Sequence, residues 1–202
     1  MAGKTLTAEP SFEGKHILLT GASGYIAHTL IEALKNFACT IVRLDRKPPL
    51  ERVEGIANIV DIAGDVRDKS IFGRVLEDVD IVFHLAGQTS LYWAEENPLE
   101  DYGINVVPML DLLETCRRRG RKPTIIFSGT ATEAGVPRRV PVNEAFRDRP
   151  ASIYDFHKLM ALKNEVKITK EVQLSRAKEI GERMLNTYRN LLSLSFNMDV
   201  TN

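Results

Sequence analysis

The stretch Thr20-Gly-Ala-Ser-Gly-Tyr-Ile-Ala27 joins an apolar run, His16-Ile-Leu-Leu-Thr20, to an amphipathic helical pattern from Tyr25 to Phe37. Glycines let a backbone turn tightly and approach a diphosphate with no Cβ in the way. The free N–H groups and the positive end of the following helix can then hold that anion. A lone glycine-rich turn is weak evidence, because many strand-to-helix turns need glycine. Its surroundings decide how it is interpreted.

Short apolar runs alternate with helix-length amphipathic stretches from residue 16 to about residue 170. The predicted strands are His16–Thr20, Cys39–Asp45, Asn58–Ile62, Asp80–Leu85 and Pro123–Ser128, and the predicted helices are Tyr25–Phe37, Ser70–Leu76 and Pro98–Arg119. Runs of four to six residues separated by helices are typical of βαβ units. Parallel strands covered by helices on both faces are apolar throughout. We therefore predict an α/β fold with a doubly wound parallel sheet of the Rossmann type.

The composition excludes several classes of protein. The chain has 202 residues, of which 44% are hydrophobic and 27% charged, and its 27 basic residues balance 27 acidic ones. A net charge of zero favours neither nucleic acid nor an anionic membrane as a partner. No apolar run approaches the roughly 20 residues that span a bilayer. The two cysteines cannot form a disulfide framework, and the four histidines lack metal-ligand spacing. We expect a soluble, cytoplasmic protein without a metal site.

Asp45 ends the second predicted strand, 24 residues after Gly21. This spacing is close to that of the carboxylate that binds the adenosine ribose in dinucleotide-binding folds. A carboxylate accepts hydrogen bonds from both ribose hydroxyls and repels a 2′-phosphate, which favours NAD. Arg46 stands next to it and could accommodate that phosphate, so NADP is the less favoured alternative.

Tyr154 and Lys158 lie four residues apart and share one face if the segment is helical. A nearby ammonium, together with the positive nicotinamide ring, would lower the phenol pKa and let the tyrosine take a proton from a substrate hydroxyl. Thr130 follows the fifth predicted strand, 24 residues before Tyr154. Because parallel sheets carry their chemistry at the carboxyl ends of strands, the glycine turn, Asp45 and Thr130 should meet at one edge.

Together these residues resemble the extended short-chain dehydrogenase/reductase family, the NAD-dependent nucleotide-sugar epimerases and dehydratases. The resemblance covers residues 15 to about 160. Besides the turn, Asp45 and Tyr154-x-x-x-Lys158, its elements are Gly64-Asp65-Val66, His84-Leu-Ala-Gly87, Asn97-Pro98, Asn105-Val106, Phe127-Ser-Gly-Thr130 and Pro141-Val-Asn-Glu144.

The resemblance implies a set of cofactor contacts. They are Gly21, Ser23, Gly24, Tyr25, Ile26, Asp45, Arg46, Asp65, Val66, Leu85, Ala86, Gly87, Asn105, Ser128, Tyr154 and Lys158. Asp65 and Val66 would border the adenine, and residues 85–87 would line the nicotinamide-side ribose and the diphosphate. Asn105 would brace the active-site backbone, and Ser128 would lie near the nicotinamide.

The resemblance also implies catalytic roles. Thr130 would hydrogen-bond the reacting hydroxyl, Tyr154 would be the base, and Lys158 would bind ribose hydroxyls and tune Tyr154. Dehydratases of this family usually carry Thr-Asp-Glu after the fifth strand, whereas this chain has Thr130-Ala-Thr-Glu133. An epimerase or a keto-sugar reductase acting on a nucleotide sugar is therefore favoured.

The C-terminal part departs from the family pattern. The family continues into a strand bearing Arg and an Asn-x-x-Gly-Pro turn and then a substrate lobe, whereas residues 161–202 are rich in Lys and Glu. We predict an NAD-binding domain over residues 1–160 and an atypical charged helical segment over 161–202, with the substrate lobe truncated or replaced. Two alternatives follow: a non-catalytic dinucleotide-binding or partner-binding module, and a fragment of a longer enzyme. The resemblance also suggests a homodimer built from the helix at Pro98–Arg119 and the helix from Ser152 onward.

Overall fold

The computed structural model describes residues 12–47, 51–137, 140–142 and 146–164. The strands within them are β1 (His16–Thr20), β2 (Thr40–Asp45), β3 (Asn58–Ala63), β4 (Ile81–His84) and β5 (Thr124–Phe127). The helices are α1 (Tyr25–Leu34), α2 (Ile71–Val75), α3 (Leu91–Glu96), α4 (Pro98–Asn105), α5 (Val107–Arg118) and α6 (Ile153–Asn164), with a 3₁₀ helix at Ala131–Ala134. None of the helices in this part of the chain is long and apolar enough to cross a bilayer.

The five strands form one parallel sheet in the order β3-β2-β1-β4-β5. Leu18 at the centre of β1 pairs with Val42 on one side and Val82 on the other. The strand order reverses between β1 and β4, and ligands bind outside the carboxyl ends of the strands at such a switch point. The predicted α/β fold with a parallel, Rossmann-type sheet is confirmed.

Side chains of the central strand alternate between two cores, because successive residues of a strand point to opposite faces. Leu18 packs in the core formed with α2, α5 and α6, which contains Phe72, Met109 and Ala161. Its neighbours Ile17 and Leu19 pack on the other face against α1. Burial on both faces explains why the run at 16–20 is apolar and could be recognised as a strand.

The helical region after β4 differs from the sequence prediction. One helix was predicted over Pro98–Arg119, but α4 ends at Asn105 and α5 begins at Val107. Pro108 lies at the start of α5, where its missing N–H leaves no intrahelical hydrogen bond unmade. The six-residue α3 was not predicted; it is capped by Ser90, whose side chain accepts a hydrogen bond from the Trp93 N–H at 3.2 Å.

The predicted charged segment at 161–202 lies outside the described residues beyond position 164. The same holds for the substrate lobe expected to be truncated or replaced there. The division at residue 160 stays a prediction, and α6 runs past it to Asn164.

Candidate functional site

A crevice of about 660 Å³ opens at the carboxyl ends of the strands, between the turn after β1 and the loop after β4. Its lining includes most of the residues predicted to hold a cofactor. These are Gly21, Gly24, Tyr25, Ile26, Asp45, Arg46, Asp65, Val66, Leu85, Ala86 and Gly87. Six predicted site residues do not line the crevice: Ser23, Asn105, Ser128, Thr130, Tyr154 and Lys158. Three of these six, Ser23, Asn105 and Lys158, contact or adjoin residues of the lining.

The turn after β1 packs its backbone closely against the backbone of the loop after β4. Gly21 has φ +69°, and a Cβ at this position would lie 2.8 Å from the Ala86 nitrogen. The Gly24 N–H donates to the Gly21 carbonyl at 2.9 Å and closes the turn. No side chain caps α1, whose first residues Tyr25 and Ile26 are exposed. Because the first N–H groups of a helix have no intrahelical acceptor, this end of α1 offers free donors to an anion.

Asp45 is held in place by the same turn. One carboxylate oxygen accepts a hydrogen bond from the Ser23 N–H and the other accepts one from the Lys47 N–H, both at 3.0 Å. The Ser23 hydroxyl in turn donates to the Lys47 carbonyl at 2.7 Å. Each carboxylate oxygen keeps a free lone pair. The arrangement can therefore accept two hydroxyl groups of a ligand without giving up its own contacts.

The part of the crevice lining that follows β3 contains an ion pair. Asp65 accepts a hydrogen bond from the Arg67 side chain at 2.6 Å and another from the Arg67 N–H at 2.9 Å. The Arg67 guanidinium holds the pKa of the Asp65 carboxyl below its usual value. Arg67 lines the crevice but was not predicted, because nothing in its local sequence marks an isolated arginine as a site residue.

The loop after β4 is tied to β1. The Ala86 N–H donates to the Thr20 hydroxyl oxygen at 3.1 Å, and this oxygen lies 2.9 Å from His84 Nδ1. His84 is buried between the rings of Phe72 and Phe127. Burial, aided by the Lys158 charge, lowers the pKa of His84 to about 3. The imidazole is therefore neutral and structural.

A buried acceptor lies beside Gly87. A Cβ on Gly87 would meet Asn105 Oδ1 at 2.7 Å and Lys158 Nζ at 3.9 Å. The Asn105 amide donates to the Gln88 carbonyl at 3.2 Å and thus braces the loop after β4. Within the described part of the chain, Asn105 Oδ1 is buried without a hydrogen-bond partner. Unsatisfied buried polar atoms are rare and are expected where a ligand or an ion completes the site.

Lys158 projects from α6 into the protein and is only 5% exposed. Its Nζ lies over the ring of Phe127, 4.2 Å from the centroid, in a cation–π contact. Burial lowers the pKa of Lys158 to about 8, and the negative charge of Asp101 opposes this shift.

Replacing Lys158 by Met is expected to stabilise the ligand-free protein at pH 7. Unfolded chains keep the usual lysine pKa of 10.5, whereas the folded state holds the proton only up to about pH 8. Burying the ammonium therefore costs roughly 3 kcal/mol below pH 8. Between pH 8 and 10.5 the unfolded state binds more protons, so wild-type stability rises with pH. Urea denaturation from pH 7 to 10.5 should show that the difference in free energy of unfolding between Lys158→Met and wild type shrinks above pH 8. A difference that stays constant with pH would contradict this prediction.

Tyr154 lies one helical turn before Lys158 on α6, as the spacing predicted. The pKa of its phenol is raised in this structure, whereas the sequence predicted a pKa lowered jointly by Lys158 and the nicotinamide ring. Burial is the main cause, and the carboxylates of Asp101 and Asp155 add to it. The phenol is therefore protonated at neutral pH in this arrangement.

Thr130 caps the start of the 3₁₀ helix after β5, where its side chain accepts a hydrogen bond from the Thr132 N–H. The two threonine hydroxyls lie 2.6 Å apart, and the Thr132 hydroxyl donates to the buried carboxylate of Asp155. The chain of hydroxyls connects Thr130 to the residue next to Tyr154. Thr132 was missed, because a hydroxyl in a Ser/Thr-rich loop carries no sequence signal of its own.

The structure adds further residues that were not predicted. Gln88, Thr89 and Ile104 line the crevice, as does Trp93, which is the only tryptophan of the chain. No group of three His, Cys, Asp or Glu residues within the described ranges could hold a metal ion.

Comparisons with known proteins agree with this geometry. The chain matches the model of the NAD dependent epimerase/dehydratase family over residues 17–178. UDP-glucuronate 4-epimerase 3 of Arabidopsis thaliana is 27% identical over 194 residues, which cover 90% of this chain and 40% of that protein. UDP-glucose 4-epimerase of Azospirillum brasilense is 32% identical over 146 residues, which cover 71% of this chain and 42% of that protein.

A solved structure shares the fold. UDP-glucose 4-epimerase from Bifidobacterium longum, in complex with NAD⁺ and UDP, is similar with a TM-score of 0.69 and 29% identity. The match covers 75% of this chain and 49% of that one. The chain thus spans less than half of the length of these three relatives.

Proposed function

The chain belongs to the NAD-dependent epimerase/dehydratase family, and from this membership we propose that it binds NAD in the crevice at the carboxyl ends of the strands. We propose further that it acts on a nucleotide sugar as an epimerase or a keto-sugar reductase. The observation that carries the proposal is the cradle after β1, where Gly21 leaves no room for a Cβ, Gly24 leaves little, and α1 begins with uncapped N–H groups.

Four features of the crevice fit a dinucleotide. The N–H groups at the start of α1 would hold the diphosphate. Asp45 would accept both hydroxyls of the adenosine ribose, and Asp65 with Val66 would border the adenine. Lys158 would bind the other ribose, next to the unsatisfied Asn105 Oδ1. NAD is favoured over NADP, because the Asp45 carboxylate would repel a 2′-phosphate.

The proposed chemistry divides between the cofactor and the chain. NAD, when bound, takes up a hydride from a sugar carbon and can return it. The chain positions the sugar and moves the proton: Tyr154 takes the proton of the reacting hydroxyl on its phenol oxygen. In the complex, the Lys158 ammonium and the positive ring of NAD would oppose burial and the two carboxylates that raise the phenol pKa of Tyr154. Thr130, held by Thr132, would orient the same hydroxyl.

Asp45→Ala should weaken NAD binding by about tenfold to a hundredfold, since hydrogen bonds to a charged group contribute about 1.5–3 kcal/mol. NADP binding should change less, because the substitution also removes a repulsive charge. The ratio of NAD affinity to NADP affinity should therefore fall. Quenching of Trp93 fluorescence measures both affinities, because this tryptophan lines the crevice. Glu77→Ala, which removes an exposed carboxylate outside the crevice lining, serves as the control. Unchanged affinities for both cofactors would argue against the assigned ribose contact.

The test of the function is turnover of nucleotide sugars by the full chain. UDP-glucose, UDP-glucuronate and their 4-epimers should be offered with NAD, and a UDP-4-keto-sugar should be offered with NADH. The products are then separated by chromatography. Conversion between 4-epimers supports an epimerase, and NADH-dependent loss of a keto-sugar supports a reductase. NAD binding without any conversion would refute the enzymatic proposal for this chain, while leaving the cofactor site intact.

A second candidate is a dinucleotide-binding module without activity of its own. Two observations favour it: Thr130 and Tyr154 do not line the crevice, and the pKa of the Tyr154 phenol is raised. A fragment of a longer enzyme would behave in the same way. The homodimer and the cytoplasmic location stay predictions.

A further inference from the structure

Asp101 is a fully buried carboxylate that accepts three hydrogen bonds. One oxygen receives the Gln88 amide at 2.7 Å and the Asn105 amide at 2.8 Å. The other lies 2.6 Å from Nδ1 of His157, which is itself 1% exposed. A buried charge is tolerated only when it is paired and hydrogen-bonded, so this site is built to hold an ionised carboxylate.

These contacts join three elements around the crevice. Asp101 and Asn105 lie on α4, and His157 lies on α6 beside Lys158. Gln88 belongs to the loop after β4 and lines the crevice. The carboxylate therefore connects α6, which carries Tyr154 and Lys158, to the loop after β4, where the Gln88 carbonyl accepts a hydrogen bond from Asn105.

We propose that the buried Asp101–His157 pair is a positioning unit, which ties α4 to α6 and supplies the negative charge that balances the Lys158 ammonium beside the crevice. For its role in turnover the proposal rests on the proposed function. Its effect on Lys158 can be measured without turnover.

The charges around α6 support this assignment. Asp101 raises the pKa of Lys158 against the effect of burial, and it also raises the pKa of Tyr154. The titratable side chains that approach this part of α6 come from five other elements and from α6 itself. They are His84 from β4, Glu95 from α3, Asp101 and Tyr102 from α4, Cys116 from α5, Glu133 from the 3₁₀ helix, and Asp155 and His157 on α6. His84 is neutral, Glu95 caps the backbone of Ile153, and Asp155 is engaged by Thr132. Asp101 is the carboxylate that acts on the pKa of Lys158.

The direct test follows the protonation of Lys158 by NMR. Protein labelled with ¹³Cε-lysine is titrated, and Lys158→Met identifies the resonance that moves near pH 8. In Asp101→Asn, which has the same shape and can still bond to Gln88 and Asn105, Lys158 should titrate at a lower pH. Glu96→Gln, which removes an exposed charge from α3, should leave the midpoint unchanged. An unchanged or higher midpoint in Asp101→Asn would overturn the proposal.

A double-mutant cycle covers the case in which Asp101→Asn alone does not fold. If Asp101 balances the Lys158 ammonium, its substitution should cost less stability in the Lys158→Met background than in wild type. Additive losses of stability, or a double variant that is as poorly folded as Asp101→Asn, would overturn the proposal.

Where turnover is found, a third measurement links the pair to activity. The rising limb of the kcat–pH profile would reflect Tyr154 and the falling limb Lys158. Both limbs should move to lower pH in Asp101→Asn, because the Asp101 charge raises the pKa values of both groups. A loss of kcat with the limbs in place would contradict the proposal and would indicate a purely structural role. Absence of turnover in wild type would refute the proposed function but not the NMR result.

Discussion

Tyr154→Phe is expected to lower kcat for nucleotide-sugar conversion by about 10²- to 10⁴-fold, the usual contribution of a positioned acid–base group. The substitution removes only the phenol oxygen that would take the proton of the reacting hydroxyl. The ring that fills the space at the start of α6 is kept, so the fold and the crevice should persist. NAD binding, measured by Trp93 fluorescence, should change far less than kcat.

The matched control is Tyr92→Phe, which removes a phenol hydroxyl from an 85%-exposed side chain on α3. It should leave kcat within about twofold of wild type, as surface substitutions usually have small effects. Because burial and two carboxylates raise the pKa of Tyr154, wild-type kcat should rise with pH above neutrality until Lys158, whose pKa is lowered to about 8, loses its proton. A Tyr154→Phe enzyme with near-normal kcat would assign the proton transfer to another group.

Gly21→Ala is expected to destabilise the protein by about 2–5 kcal/mol and to abolish measurable NAD binding. A non-glycine residue in a left-handed conformation costs roughly 1–2 kcal/mol. Forcing an extra carbon into packed structure adds typically 1–3 kcal/mol. The added Cβ would lie 2.8 Å from the Ala86 nitrogen and 2.9 Å from its Cα, so backbone must move on one side of the crevice. Chemical denaturation gives the stability change, and Trp93 fluorescence gives the binding.

Gly14→Ala separates the two causes. Gly14 has φ +68°, almost the same as Gly21, but a Cβ there would meet no atom within 4 Å. It should therefore show only the conformational cost and bind NAD normally. Equal destabilisation of the two variants would mean that the close approach to Ala86 has no energetic consequence.

The sheet could be predicted well because each strand carries its own signal. β1 was predicted with its observed bounds, since Leu18 and its neighbours are buried on opposite faces and the run is apolar throughout. The break at Val106 was missed because the apolar stripe continues across it, while Pro108 is equally compatible with a helix start. The six-residue α3 is too short to show a helical period.

The candidate site was predictable where chemistry follows a local motif. The glycine turn, Asp45 and the loop after β4 line the crevice together, because the carboxyl ends of parallel strands share one edge. Asp101 and His157 could not be paired from sequence, since 56 residues separate them and neither belongs to a periodic pattern. The raised pKa of Tyr154 could not be foreseen for the same reason, since the burial and the carboxylates that raise it are contributed by the fold.

The hydrogen bonds of Asp45 have a consequence for protein engineering. The carboxylate that would select the coenzyme is also the acceptor that joins the Ser23 and Lys47 amides, and thus two loops. Redesigning the chain for a phosphorylated coenzyme therefore cannot be a single exchange of charge at position 45. A successful variant would pair an arginine nearby with a short hydroxyl-bearing or amide-bearing side chain at position 45, so that the loops keep their common anchor.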